Sequence, residues 1–280
     1  MTNSAEHSGD GRFELLELTA AASQNRFTLH ARRALCTPFE FLYGGSAIAA
    51  SIEAAEVATD RALQWVTTQF IGSPTPGDDV DIVVETGAAG RATSQIEVVG
   101  SIEGRPMYTS LCALTSKASG DSRQFAEMPT VSPPEECPDM SEPFAVDTEG
   151  TFFDHLERRV AAGAWALDAV DDPQRGPLRM WCRIPDHPIG SPATQAFVAD
   201  IIPLAVCAAL GVVPGGTSLD NTVRVIDRRP TEWVLLDARP DGYHQGIGHG
   251  SLDIWSEDGR LIGTAQQTCI IRTSHQRIAT

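Results

Sequence analysis

A carboxylate stands at position 200 of a run, 191-SPATQAFVADIIPLAVCAAL-210, that otherwise reads as a core helix. Ala193, Ala196, Phe197, Asp200, Leu204 and Cys207 recur at three- and four-residue spacing, so they share one helical stripe. Five of the six are apolar. Burying an unpaired carboxylate among them is costly, so the acid needs partners, a raised pKa or a chemical task. With its pKa raised towards neutrality it is a general base. The alternative from these residues alone is a structural Asp bonded to a neighbouring strand. Pro203 follows closely and has no N–H for the carbonyl of Ala199, which predicts a bend beside the acid.

Other chemistries lack their residues. The chain has no G-x-S-x-G elbow, no C-x-x-C pair and no G-x-G-x-x-G after a strand-like run. Its six cysteines, Cys36, Cys112, Cys137, Cys182, Cys207 and Cys269, form neither metal-site spacing nor a disulfide framework and read as reduced core residues. His249, among glycines in 246-GIGHG-250, reads as a surface or hairpin residue. No cofactor and no metal are expected.

The 280 residues carry 37 acids against 21 bases, a formal net charge of −16. That field argues against nucleic-acid partners and against anionic membrane surfaces. The first residues, MTNSAEHSGDGR, contain no hydrophobic stretch of the kind a signal peptide needs. No uninterrupted apolar run reaches the ~18 residues of a membrane span. The expected location is cytoplasmic.

The elements that must position Asp200 repeat. In the first half a small-residue helix, 43-YGGSAIAASIEAAEVA-58, precedes strand-like runs at 64–71, 80–85, 94–101 and 105–115. In the second, the Asp200 helix precedes runs at 219–226, 232–238, 250–256 and 260–272. Glu103-Gly104-Arg105 and Asp258-Gly259-Arg260 read as matching turns, and 259 − 104 gives an offset of 155. A helix followed by about four antiparallel strands, twice over, is an internal duplication. At that offset Asp200 falls on Gly45 and Gln267 on Cys112, so the polar groups belong to one half only. Residues 1–12 read as a disordered tail, and 117–151, rich in Pro, Ser and acids, as a linker across the surface. The remaining spans, 13–116 and 152–280, are the two repeat units.

Tyr43-Gly44-Gly45, the Asp200 helix, 218-SLDNT-222, Thr231-Glu232-Trp233 and 258-DGRLIGTAQQ-267 occur in an order and spacing that resemble the TesB-like acyl-CoA thioesterases, or acyl-CoA thioesterase II. The resemblance covers nearly the whole chain. It implies an α+β double hotdog, in which two helix-wrapping antiparallel sheets are fused in one chain. It implies acyl-CoA as substrate, hydrolysis to a carboxylic acid and CoA, and a homo-oligomer. In that family an Asp, a Ser or Thr, and a Gln act together on water, and these roles fall on Asp200, Ser218 and Gln267. The chain departs from the family at Asn221 and Thr67, where members carry His, and at 92-ATSQIEV-98, which lacks an arginine pair.

On this reading Asp200 takes a proton from water while Ser218 and Gln267 hold the water and the carboxylate in place. The Gly44-Gly45 turn opens a helix whose free N–H groups could hold the oxyanion and the substrate. Close helix–strand packing would explain the two glycines equally well. Two further functions remain open: a hotdog protein that binds acyl-CoA without turnover, and a hotdog-fold hydratase. The hydratase needs an Asp–His pair, and 186-DH-187 precedes the helix instead of lying in it.

Overall fold

The computed structural model describes residues 12–116, 120–140, 147–164, 173, 176–213 and 215–272. The expected tail therefore lies, Arg12 apart, outside the described residues, as does part of the expected linker. In chain order the strands are β1 (Thr19–Ala20), β2 (Arg26–His30), β3 (Ala62–Phe70), β4 (Asp79–Ala89), β5 (Thr93–Ile102) and β6 (Arg105–Thr115) in the first half. The second half holds β7 (Glu157–Ala162), β8 (Leu178–Arg183), β9 (Gly216–Val225), β10 (Val234–His244), β11 (Ile247–Ser256) and β12 (Leu261–Ile271). The helices are α1 (Gly44–Thr59), α2 (Pro192–Ala199) and α3 (Ile202–Leu210).

All twelve strands form one antiparallel sheet, in the order β1-β2-β4-β5-β6-β3-β9-β12-β11-β10-β8-β7. Alternation drives it: in β5, Ser94, Ile96 and Val98 are buried while Gln95 and Glu97 are exposed. The inner face of the first half packs on α1, whose residues Gly45 to Ala55 are all buried. A helix of small and apolar residues on every side belongs in a core. In the second half α3 packs on β10, β11 and β12. This is the expected double hotdog.

The expectation of about four strands per half is too low. The expected runs do not include β1, β2, β7 and β8. β7 and β8 read ERRVAA and LRMWCR, and their arginines break the apolar pattern because these strands sit at or next to the sheet edge. The two matching turns also close differently. Glu103 and Gly104 both have positive φ, as a two-residue hairpin twisting with its strands requires, whereas at the second turn only Gly259 does.

The duplication is visible in the register. Val66 lies opposite Cys112, and Asn221, 155 residues on, lies opposite Gln267. The halves join through β3 and β9, which pair antiparallel with Thr67 opposite Thr222. Those two residues are themselves 155 apart, so the pseudo-twofold axis passes between them, and their hydroxyls bond across it at 2.9 Å.

The Asp200 helix is broken, not merely bent. Ser191 caps α2 by accepting from the Thr194 amide at 3.1 Å, and Pro192 occupies the first turn. At Asp200 the backbone leaves helical geometry (φ −87°, ψ 49°). Pro203 then sits in the first turn of α3, where its missing N–H costs nothing. Gly211, at φ 66°, closes α3. Taken together, Pro192–Leu210 is long and apolar enough to cross a membrane by length and composition, with Asp200 interrupting the run; 72% of its most apolar window is buried inside the fold, as in a core helix.

Residues 120–140 run over the outer face of the second half. Trp181 donates from Nε1 to the Ser132 carbonyl at 2.9 Å. Cys137, Trp181, Trp233, Leu235 and Trp255 form a second small core under this strap.

Candidate active site

The break after α2 aims the Asp200 side chain at the N-terminus of α1. Oδ2 accepts from the Gly45 amide at 3.1 Å. Oδ1 accepts from Asn221 Nδ2 at 3.1 Å and from Gln267 Nε2 at 2.5 Å. Gln267 Nε2 also donates to Ser218 Oγ at 2.8 Å. Asp200, Ser218, Gln267 and Gly45 are thus brought into one cluster that straddles the two halves. Of the two adjacent glutamines, Gln267 faces in, 2% exposed, and Gln266 faces out.

Burial pushes the Asp200 carboxyl up from 3.8 to about 6, against the three hydrogen bonds from Asn221, Gln267 and Gly45, which pull it down. Desolvation wins because the acid lies among helix ends and apolar walls. Gln267 Oε1 and Asn221 Oδ1 are buried and find no partner among the described residues. Both side chains have turned their donors to the carboxylate and left their acceptors unpaired, a cost tolerated at functional sites.

The two glycines serve close approach. A Cβ on Gly44 would stand 2.4 Å from Asp200 Oδ2 and 3.0 Å from the Phe70 ring. On Gly45 it would stand 2.6 Å from the Phe197 carbonyl, so that glycine lets α1 meet α2. The Gly45 amide is engaged with Asp200, whereas the Gly44 amide, first in α1, has no acceptor among the described residues.

Asp200, Ser218 and Gly44 line a cavity of about 480 Å³. Its walls are mostly apolar, including Phe70, Leu156, Met180, Ile201 and Leu204. Tyr43 forms part of the wall, stacked on Phe152 with ring centroids 3.8 Å apart. Arg272, exposed at the end of β12, also borders it. No histidine does. His187 packs edge-on against Phe13, and exposed His249 meets Thr268 on the outer side of β11. Among the described residues no group of His, Cys, Asp or Glu could hold a metal ion.

Two members of this region were not picked out from the sequence. Asn221 registered only as a missing histidine, and its position opposite Gln267 depends on pairing between strands distant in sequence. Arg158 was hidden in an arginine pair, and only strand parity decides which of Arg158 and Arg159 turns inward.

Models of the acyl-CoA thioesterase N-terminal and C-terminal domains match residues 35–116 and 134–271. A search of the curated proteins returned no match. Among solved structures, a candidate thioesterase from Novosphingobium aromaticivorans is 27% identical with a TM-score of 0.82, over 91% of this chain and 98% of that one. A hotdog-fold protein from Alicyclobacillus acidocaldarius (21% identity, TM-score 0.78, 91% and 96% covered) shares the fold. So does the tesB protein of Mycobacterium avium subsp. paratuberculosis (20%, 0.75, 92% and 97%). With both domain models placed in order on a double hotdog, the chain belongs to the TesB-like acyl-CoA thioesterases, enzymes that hydrolyse the thioester of acyl-CoA.

Proposed function

We propose that Asp200 is the general base that activates water for acyl-CoA hydrolysis. The observation that carries this is the placement of one desolvated carboxylate, held by three donors, in the wall of a mostly apolar cavity and beside a helix N-terminus. A carboxylate offers about four lone-pair positions. Oδ1 uses two on Asn221 and Gln267, and Oδ2 uses one on Gly45. The open position is on Oδ2, so the water binds there.

The acyl chain lies in the cavity, with its carbonyl at the α1 N-terminus. Water oxygen attacks the carbonyl carbon as Asp200 takes the water's proton. The oxyanion is held by the Gly44 amide and the positive end of the helix. The intermediate then collapses, the C–S bond breaks, and the proton passes from Asp200 to the departing thiolate. Ser218 accepts from Gln267 and keeps its own proton free to donate to the water. Gln267 and Asn221 fix the carboxylate, so their role is orientation. No cofactor is required. A hydratase would need a histidine at the site, and among the described residues none lines the cavity.

Release of free thiol from a panel of acyl-CoAs tests this, with melting recorded on the same samples. Wild type should turn over and Asp200→Asn should fold but not turn over. Binding without release by wild type would instead support a non-catalytic acyl-CoA binder.

A further inference from the structure

In β7 the residues flanking Arg158 turn outward: Glu157 binds Arg183, and Arg159 lies over Trp233. Arg158 turns inward, opposite Cys182 of β8, and lines the cavity with Met180, Cys182 and Leu236. It is 4% exposed. Its Nε and Nη1 are buried and have no hydrogen-bond partner among the described residues. Its contact is the Phe153 ring, 4.3 Å from the guanidinium carbon. A cation–π contact offsets only part of the cost of burying a cation. Asp139 and Asp154, the acids that act on it through space, are both exposed, and neither comes within ion-pair distance. The neighbouring Cys182 thiol and Tyr43 hydroxyl are held neutral by burial.

The strand order gives this cation its place. Gln267 of the catalytic cluster is on β12, and Arg158 is four strands away on β7. At ~4.8 Å per strand that is about 19 Å along the sheet, and less across its concave face. One mostly apolar cavity therefore holds the Asp200 carboxylate and, on another part of its wall, a buried guanidinium whose Nε and Nη1 are unpaired among the described residues.

We propose that Arg158 receives a second carboxylate, at the end of the acyl group remote from the thioester, so that the favoured substrates are CoA thioesters of dicarboxylic acids. The planar guanidinium suits a carboxylate, and a desolvated site makes the pairing selective. An alkyl terminus would leave the cation unpaired, which discriminates against plain fatty acyl groups. The phosphates of CoA are not candidates, because they are attached to a nucleotide that cannot follow the acyl chain into a cavity of this size.

The inference rests on the thioesterase mechanism, and the test separates the two. On the full-length protein, kcat/KM is measured for suberyl-CoA against octanoyl-CoA and for adipyl-CoA against hexanoyl-CoA. The ω-carboxylated member should lead each pair by roughly tenfold to hundredfold. Arg158→Met should remove that lead by lowering the suberyl value while leaving the octanoyl value unchanged or higher. Should that variant fail to fold, Arg158→Lys and the wild-type ratios decide. Calorimetric binding of suberyl-CoA and octanoyl-CoA to the Asp200→Asn protein needs no turnover, and suberyl-CoA should bind tighter. A wild-type preference for the plain acyl chains, equal effects of Arg158→Met on both classes, or equal binding of the two thioesters overturns the proposal. If no thioester is hydrolysed at all, the mechanism fails while the binding comparison still judges the pocket.

Discussion

Replacing Asp200 by Asn keeps the shape of the side chain and removes its basicity. Thiol release should fall by about 10²–10⁴-fold. The fold should survive, because the unpaired Oε1 of Gln267 can rotate to accept from the new amide. The folded pKa of Asp200 is raised from 3.8 to about 6. Below the lower value both states are protonated and no penalty exists; the penalty grows as pH rises and is complete above about 6. At pH 7.5 Asp200→Asn should therefore stabilise the protein, by roughly 1–3 kcal/mol, which a denaturation series would show. A structural Asp would give the opposite sign. For the same reason wild-type kcat/KM should rise with pH through about 6 and then level, a limb absent from the variant's residual rate. Gly44→Ala should cost about 10²-fold in kcat, since its Cβ would stand 2.4 Å from Oδ2 and push the carboxylate out of position. At this scale the sequence was legible wherever chemistry conflicted with pattern. An acid on an apolar stripe marked Asp200, and alternation reduced Gln266 and Gln267 to one choice. Arg158 could not be found that way, because in ERRVAA nothing distinguishes an inward arginine from an outward one.

Pro203 and the break before it control where the carboxylate points. In Pro203→Ala the chain regains an N–H for the Ala199 carbonyl, and α2 and α3 can merge into one helix. Merging would turn Asp200 away from Gly45. The expected outcome is a melting temperature unchanged or raised, with kcat lowered by about 10²-fold, as a shift of 1 Å at such a site can do. Comparing melting curves with turnover on the same preparation checks it. The helices and the long central strands were readable from periodicity, and most of their limits fall within a few residues of those expected, although β10 runs on to His244 instead of ending at Ala238. Edge strands were not, since edge positions tolerate the charges that hide a strand. The break itself was read as a bend, because proline marks a discontinuity without saying whether the helix restarts.

Across the whole molecule, the sheet edges at β1 and β7 leave room for chains to associate. We expect dimers or higher even oligomers, and sedimentation showing only a 30.0 kDa species at micromolar concentration would refute this. The active cluster should not depend on that association. Its first-half counterparts at the 155-residue offset are Gly45, Cys112 and Val66, so one functional site per chain is expected, and stoichiometric titration with a tight inhibitor would count it. The Thr67–Thr222 seam has a further result. Enzymes that assemble a site between two separate chains lose it on dilution. Here the carboxylate of one half and the helix end of the other are joined by covalent chain and by paired strands, so each half meets its partner at a fixed effective concentration. Specific activity should stay constant down to nanomolar protein, and it should return after denaturation at a rate that does not depend on how much protein is in the tube.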